Sequence, residues 1–342
     1  MKLFIAHNYR DGRLAGNKAK ADIEQIMTDT GFQNAGIDQS RTRRGVANFI
    51  SNLTGVLKAV TRIRRGDIVM LQYPLKKYFT FVCRMAHARG AKTATVIHDL
   101  GSCRRKALSV EKEIQRLGNA DYVIASNEVM RQYLVDNGLQ SATGALMLFD
   151  YLGNEQAPER KAPGHMPRVA YAGKISKRKN SFIWKWGPAI DGYEVDLYGD
   201  GFTRAEAQAP EAITEHGFTA PDKFISKCQS HYGLVWDGDS LDTCSGDWGE
   251  YLALNSPHKA SFYLRAGLPL IVWKGSALAD YVAETGIGIP IDSLHELAAR
   301  LRQITPAQYD QMAQNVARVN SDIASGRYFA RAFAKAEAYL DR

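Results

Sequence analysis

Short apolar runs that do not alternate with polar residues, each followed by a polar turn and an amphipathic stretch, recur along this chain of 342 residues. They are Leu3 to Ala6, Asp67 to Gln72, Ala94 to Ile97, Tyr122 to Ala125, Val169 to Ala172, Val195 to Tyr198, Leu234 to Trp236 and Leu270 to Trp273. A strand that is apolar on both faces must be covered on both faces, which demands helices above and below a parallel sheet. Gly31, Gly90 and Gly138 stop the intervening helices of the first half, and Ser126-Asn127 caps one of them. The polar stretch Gly153 to Pro167 holds three prolines and is the natural linker. From Ser293 the pattern is helical to the end. The expected fold class is therefore α/β, two Rossmann-like halves with a helical tail.

Composition excludes several alternatives. Hydrophobic residues make up 45% and charged residues 23%, as in an ordinary globular protein. No run of apolar residues reaches a membrane-spanning length. The N-terminus enters a strand without a signal-peptide layout, and Cys83, Cys103, Cys228 and Cys244 lack disulfide or zinc spacing. The expectation is a cytoplasmic protein. Net charge is +8, crowded into Arg41, Arg43, Arg44, Lys58, Arg62, Arg64 and Arg65, then Lys76-Lys77 and Arg104-Arg105-Lys106. Val46 to Ile63 adds an apolar helical stripe between those cations. Such a segment is a core helix with a solvated basic face, or a surface that meets anionic lipid from the inner side of a membrane. No nucleic-acid motif accompanies the charge.

The clearest site signal lies between Val235 and Trp273. A buried strand runs into an acidic loop ending at Asn255-Ser256-Pro257; His258-Lys259 then open a helix stopped by Gly267. Ligands of open α/β sheets sit beyond the C-terminal strand ends, where helix N-termini present amides. Lysine in the first turn opposes the helix dipole unless an anion is bound there, so this segment reads as a diphosphate seat. The turn Gly173 to Asn180 after the second half's first strand supplies further cations, Lys177 and Arg178 foremost. Tyr198-Gly199-Asp200-Gly201 is another strand-end turn but lacks nucleotide-fingerprint spacing. Asp237-Gly238-Asp239 matches a D-x-D metal pattern, although lysines beside it could do a metal's electrostatic work. Glu250 and Tyr251 could contact sugar hydroxyls. In the first half, His98-Asp99 ends a buried strand, with Asp99 the expected general base and His98 the alternative. His7, Asn8, a loop glycine at Gly16, and Asn127 complete the acceptor-side candidates.

Several of these stretches, read together, resemble a known group. Leu234 to Asp239, Gly249-Glu250-Tyr251, Asn255 to Lys259 and Tyr263 to Pro269 are similar to bacterial two-domain GT-B glycosyltransferases. The resembling group contains β-1,6-galactofuranosyltransferases of polysaccharide synthesis and streptococcal glucosyltransferases that extend O-GlcNAc on adhesins. Gly173-Lys174, Lys179 to Phe182, Leu197-Tyr198-Gly199 and Ile97 to Leu100 share the likeness. It implies two domains, 1–155 for the acceptor and 165–325 for a UDP-sugar, facing a central cleft. Residues 326–342 would form a helix crossing back to the N-terminal domain. It also implies no cofactor and no essential metal, with Arg178 and Lys259 near the diphosphate. The expected activity is inverting transfer of a hexose, first galactofuranose and otherwise glucose, to a glycan or lipid-linked glycan hydroxyl. A sugar-nucleotide epimerase or a non-catalytic binding protein could use the same scaffold, and a homo-oligomer is compatible with it.

Overall fold

The computed structural model describes residues 1–6, 15–36, 45–75, 78–104 and 108–342, which fall into two compact units. The first comprises Met1–Asp150 with Gly326–Arg342, the second Tyr151–Ser325. His7, Asn8, Arg41, Arg43, Arg44, Lys76, Lys77, Arg105 and Lys106 lie outside the described residues.

In the first unit the order is β1 (Lys2–Phe4), α1 (Ala15–Asp29), β2 (Gln33–Asn34), α2 (Gly45–Arg62), β3 (Ile68–Tyr73), α3 (Tyr78–Ala88) and β4 (Lys92–Ile97). Then follow α4 (Gly101–Arg104), α5 (Val110–Leu117), β5 (Tyr122–Ala125), α6 (Glu128–Asp136) and β6 (Ala142–Ala145). All strand pairs are parallel, in the order β2-β1-β3-β4-β5-β6. β3 and β5 are buried along their whole length, as their unbroken apolar sequence requires. Gly16, expected in a loop, lies instead within the first turn of α1. The sequence signal there was a glycine, yet the helix continues from Ala15 into the Ala19 to Ile26 stripe.

The second unit runs β7 (Arg168–Ala172), α7 (Lys177–Asn180), β8 (Glu194–Tyr198), β9 (Ile213–Gly217), α8 (Pro221–Lys227), β10 (Tyr232–Val235) and α9 (Gly246–Gly249). It continues with α10 (His258–Arg265), β11 (Leu270–Trp273), α11 (Ala279–Thr285), β12 (Gly288–Ile291), α12 (Leu297–Gln303) and α13 (Pro306–Ala324). Its parallel sheet has the order β12-β11-β10-β7-β8-β9, the six-strand doubly wound arrangement that reverses direction between β7 and β10. Trp186, Trp236, Tyr171, Tyr232 and Tyr263 fill its interior.

The chain passes from the first unit to the second after Asp150. Arg265, itself buried, donates to the carbonyls of Tyr151 (3.0 Å), Gly153 (3.0 Å) and Glu155 (3.1 Å), and so binds the proline-rich stretch to the second unit. The last helix, α14 (Arg327–Leu340), returns to the first unit and packs against β5, β6 and α1. The buried Asp150 carboxylate accepts from the Tyr328 and Phe329 amides (3.1 and 2.8 Å), an anion at the positive end of α14.

Candidate active site

Two loops of the second unit leave the strands that flank the reversal point. The loop after β7 is fixed by Asn180. Its Oδ1 accepts from the Ser176 amide (2.7 Å), and its Nδ2 donates to the Lys174 carbonyl (3.0 Å) and the Tyr171 hydroxyl (2.8 Å). Gly173 adopts φ +131°, and a Cβ on Gly199 (φ +141°) would stand 1.9 Å from the Gly173 carbonyl oxygen. Only glycine lets these two strand ends approach so closely. The loop after β10 is tied to the first, with the Gly238 amide donating to the Lys179 carbonyl (2.8 Å) and the Phe182 amide to the Gly238 carbonyl (3.2 Å).

Three charges converge in this frame. Asp237, 6% exposed, accepts from the Tyr171 hydroxyl (2.8 Å). Lys259 Nζ lies 3.4 Å from Asp237 Oδ1, and Lys179 Nζ lies 3.4 Å from Oδ2. Lys259 Nζ also stands 3.9 Å from the centre of the Tyr171 ring, a favourable cation–π contact. Burial first, and the neighbouring Lys179 ammonium, outweigh the opposing Asp237 carboxylate and bring the Lys259 pKa down to about 8. Burial first, and the Asp237 carboxylate second, push the Tyr171 hydroxyl well up, so it stays a neutral donor. Two ammonium groups share one carboxylate, which leaves an excess positive charge beside the start of α10. No side chain caps α10 at Pro257, and its first turn holds no acid. The Asn255 Oδ1 just ahead of it is buried without a hydrogen-bond partner among the described residues, and as an acceptor it calls for a donor rather than an anion. The arrangement is built to take an anion.

Other expected residues take different places. Lys177 is exposed, pairs with Glu206 and covers the Trp184 ring (5.9 Å). Arg178 is exposed. Tyr198 stacks on His216 (4.4 Å between ring centres) and meets Phe224 edge-on. Glu250 is exposed, Tyr251 is buried, and His258 stacks on Tyr151 at 4.9 Å. Asp239 accepts from the Ser245 hydroxyl, and Lys185 Nζ donates to its carbonyl (2.7 Å). Sequence reasoning missed Lys179 as an inward-facing cation, along with Tyr171 and Asn180 that hold it. The only available signal was the Lys179 to Phe182 run. Phe218, just beyond β9, is 67% exposed, and its amide donates to Asp200 Oδ1 (3.1 Å).

In the first unit, β4 delivers His98 and Asp99 at its C-terminal end. Gln72 Nε2 donates to the Lys20 carbonyl and to Glu24 (both 3.2 Å), which turns its Oε1 toward His98 Nε2 at 2.7 Å. An acceptor facing Nε2 puts the proton there and the lone pair of neutral His98 on Nδ1. The imidazole stacks on Phe149 (5.2 Å). Asp99 pairs with Arg104. Beyond it, the buried Glu113 carboxylate accepts from the Tyr73 hydroxyl (2.7 Å), the Gly101 and Ser102 amides (2.9 and 2.8 Å) and the Ser102 hydroxyl (2.5 Å). Glu113 thereby anchors the turn that follows Asp99. Asn127 is fully buried, and its Oδ1 caps α6 by accepting from the Met130 amide (2.8 Å).

Known proteins carry the same pattern. Residues 2–147 match the family model for the glucosyltransferase 3-like N-terminal domain, and residues 169–336 match that for the C-terminal domain. The beta-1,6-galactofuranosyltransferase WbbI of Escherichia coli (strain K12) is 29% identical, covering 93% of this chain and 92% of its own length. Glucosyltransferase 3 of Streptococcus gordonii is 24% identical over 97% of this chain and 96% of its own. Among solved structures, the apo form of the lipopolysaccharide outer core galactosyltransferase WaaB superposes with a TM-score of 0.58 at 13% identity, covering 98% of this chain and 99% of that one. Anabaena HepE, solved with UDP and glucose, gives 0.57 at 13% identity, with 97% and 99% covered. Both share the two-domain GT-B fold expected from the sequence. The chain belongs to the glucosyltransferase 3-like family and is a glycosyltransferase.

Proposed function

We propose that the protein transfers galactofuranose from a UDP-sugar to a glycan hydroxyl, with inversion and without an essential metal, in surface polysaccharide synthesis. The observation that carries the donor site is the buried Asp237 shared by Lys259 and Lys179 at the reversal point of the second sheet. In the free enzyme the carboxylate holds the two ammonium groups in place. A bound diphosphate draws on the same cations and on the amides that open α10, and these stabilise charge on the departing UDP. The base of the uridine is suited to the exposed Phe218 just beyond β9, two strands along the sheet from β7 and so about 10 Å away.

A divalent cation fits this seat poorly. The Asp237 oxygens already face a hydroxyl and two ammonium groups, and Asp239 is engaged by Ser245. For the acceptor, the first unit supports His98 over Asp99 as base. Asp99 is engaged by Arg104, whereas Gln72 holds the His98 imidazole in the tautomer that places its lone pair on Nδ1. The acceptor oxygen attacks C1 of the sugar, the bond from C1 to the UDP oxygen breaks, and the acceptor proton passes to His98. Galactofuranose is supported by the 29% identical WbbI. Glucose is the second reading, favoured by the family models that match both halves.

The test is UDP release with UDP-galactofuranose, UDP-galactopyranose, UDP-glucose or UDP-GlcNAc, a panel of glycan and lipid-linked acceptors, and EDTA present. The expected result is acceptor-dependent release from UDP-galactofuranose that EDTA leaves unchanged. His98→Ala should lose about 100-fold or more in kcat, with a smaller loss for Asp99→Asn. Release that needs added Mg²⁺ or Mn²⁺ would contradict the lysine-based seat. Release from UDP-glucose alone would reassign the sugar.

A further inference from the structure

Helix α2 carries two apolar sides. Val56, Ala59 and Val60 are buried in the first unit. Ile50 and Leu57, seven residues apart and so on one side of the helix, are 52% and 49% exposed. Phe81, on the neighbouring helix α3, is 41% exposed. A surface helix ordinarily has one apolar stripe, toward the core. The second stripe gains nothing from folding and marks a surface that is covered by something else.

The charges around it say what covers it. From Arg41 to His98 the sequence has twelve lysines and arginines and a single acid, Asp67. That acid is buried and bonded to the Met1 ammonium (2.9 Å), so it does not offset the surface charge. Neither α2 nor α3 contains a carboxylate. Lys58 and Arg62 on α2 and Arg84 on α3 are exposed, and no ion pair engages them among the described residues. A solvated helix face mixes both signs of charge, whereas this one offers only cations beside exposed Ile, Leu and Phe.

We propose that this side of the first unit docks on an anionic lipid bilayer. Ile50, Leu57 and Phe81 would enter the boundary between headgroups and acyl chains, and Lys58, Arg62 and Arg84 would lie against headgroup phosphates. Nucleic acid would use the cations but leave the aliphatic side chains in water. The surface is distinct from the donor seat, and the proposal does not depend on the sugar or the mechanism.

Flotation with phosphatidylcholine vesicles, with and without phosphatidylglycerol, at low and high salt, tests it. Wild-type protein should float with the anionic vesicles alone, and high salt should release it. Leu57→Glu with Phe81→Glu, and separately Lys58→Glu with Arg62→Glu, should each weaken association about tenfold or more. UDP affinity and the melting midpoint should stay at wild-type values, which separates lost docking from lost folding. Val129→Glu, at an exposed apolar position on α6, should float like wild type. No association of the wild type at low salt would overturn the proposal, as would unaltered flotation of both double variants. A wild-type oligomer that Leu57→Glu dissociates, with no vesicle binding, would assign the face to a second copy instead.

Discussion

Lys259 is the residue where stability and function oppose one another. Its side chain is 12% exposed, sits at the positive end of a helix and shares one carboxylate with a second lysine. Burial lowers its pKa to about 8, while in the unfolded chain it titrates near about 10.4. Below pH 8 both states carry the proton, and the folded state bears the cost of a poorly solvated cation. As pH rises from 8 toward the unfolded value, the folded state has already released its proton and stability recovers. Lys259→Met should therefore melt no lower than wild type at pH 7, with its advantage shrinking by pH 10. Its kcat/KM should fall by about 2–4 kcal/mol of transition-state stabilisation. A loss of several degrees in melting temperature would mean that Lys259 serves the fold. Lys259 and Asp237 were legible in the sequence because a strand end and a helix start bracket them. Lys179 was not distinguishable from Lys177 and Arg178. Three consecutive cations on one short turn give no phase, and the inward one is chosen by Asn180 bonding across the loop.

At the scale of elements, the interior strands were legible and the sheet edges were not. β3, β4, β5, β7, β10 and β11 are apolar on both faces and announce themselves. The edge strands β2, β6, β9 and β12 are partly exposed, with sequences such as Gln33-Asn34 and Ala142-Thr-Gly-Ala145 that carry no such signal. Long-range anchors are equally invisible beforehand. Glu113 reads as one more acid on an amphipathic helix, yet its carboxylate holds the turn after Asp99 through four hydrogen bonds. Glu113→Ala would leave two half-buried amides and the buried Tyr73 hydroxyl without their acceptor. It should cost about 2–4 kcal/mol of stability and lower kcat through the displaced His98-Asp99 turn. UDP affinity should be unchanged, because the donor seat belongs to the second unit. Thermal melting, turnover and UDP titration on one preparation check all three. A wild-type melting temperature would refute the anchoring role.

At the scale of the molecule, the sequence announced two doubly wound units, and the strand orders bear this out. The switch in strand order could not be read from the chain, because a parallel run of strands looks the same whichever neighbour each one joins. That switch is what makes the site. It brings the loops after β7 and β10 together, although 66 positions separate the partners Tyr171 and Asp237. The return of α14 was foreshadowed by the resemblance, but the Asp150 carboxylate that receives it was not. The central claim is that Lys259 and Lys179, gathered on Asp237 at this point, seat the donor diphosphate. Calorimetric titration of UDP at pH 7 and at pH 9.5, into wild type and Lys259→Met, addresses it most directly. Wild type should bind more weakly at the higher pH and take up a proton on binding there, as the diphosphate restores the charge of Lys259. The variant should bind weakly at both pH values with no proton uptake from this group. Equal affinity of wild type and variant at pH 7, or wild-type affinity indifferent to pH, would contradict the account.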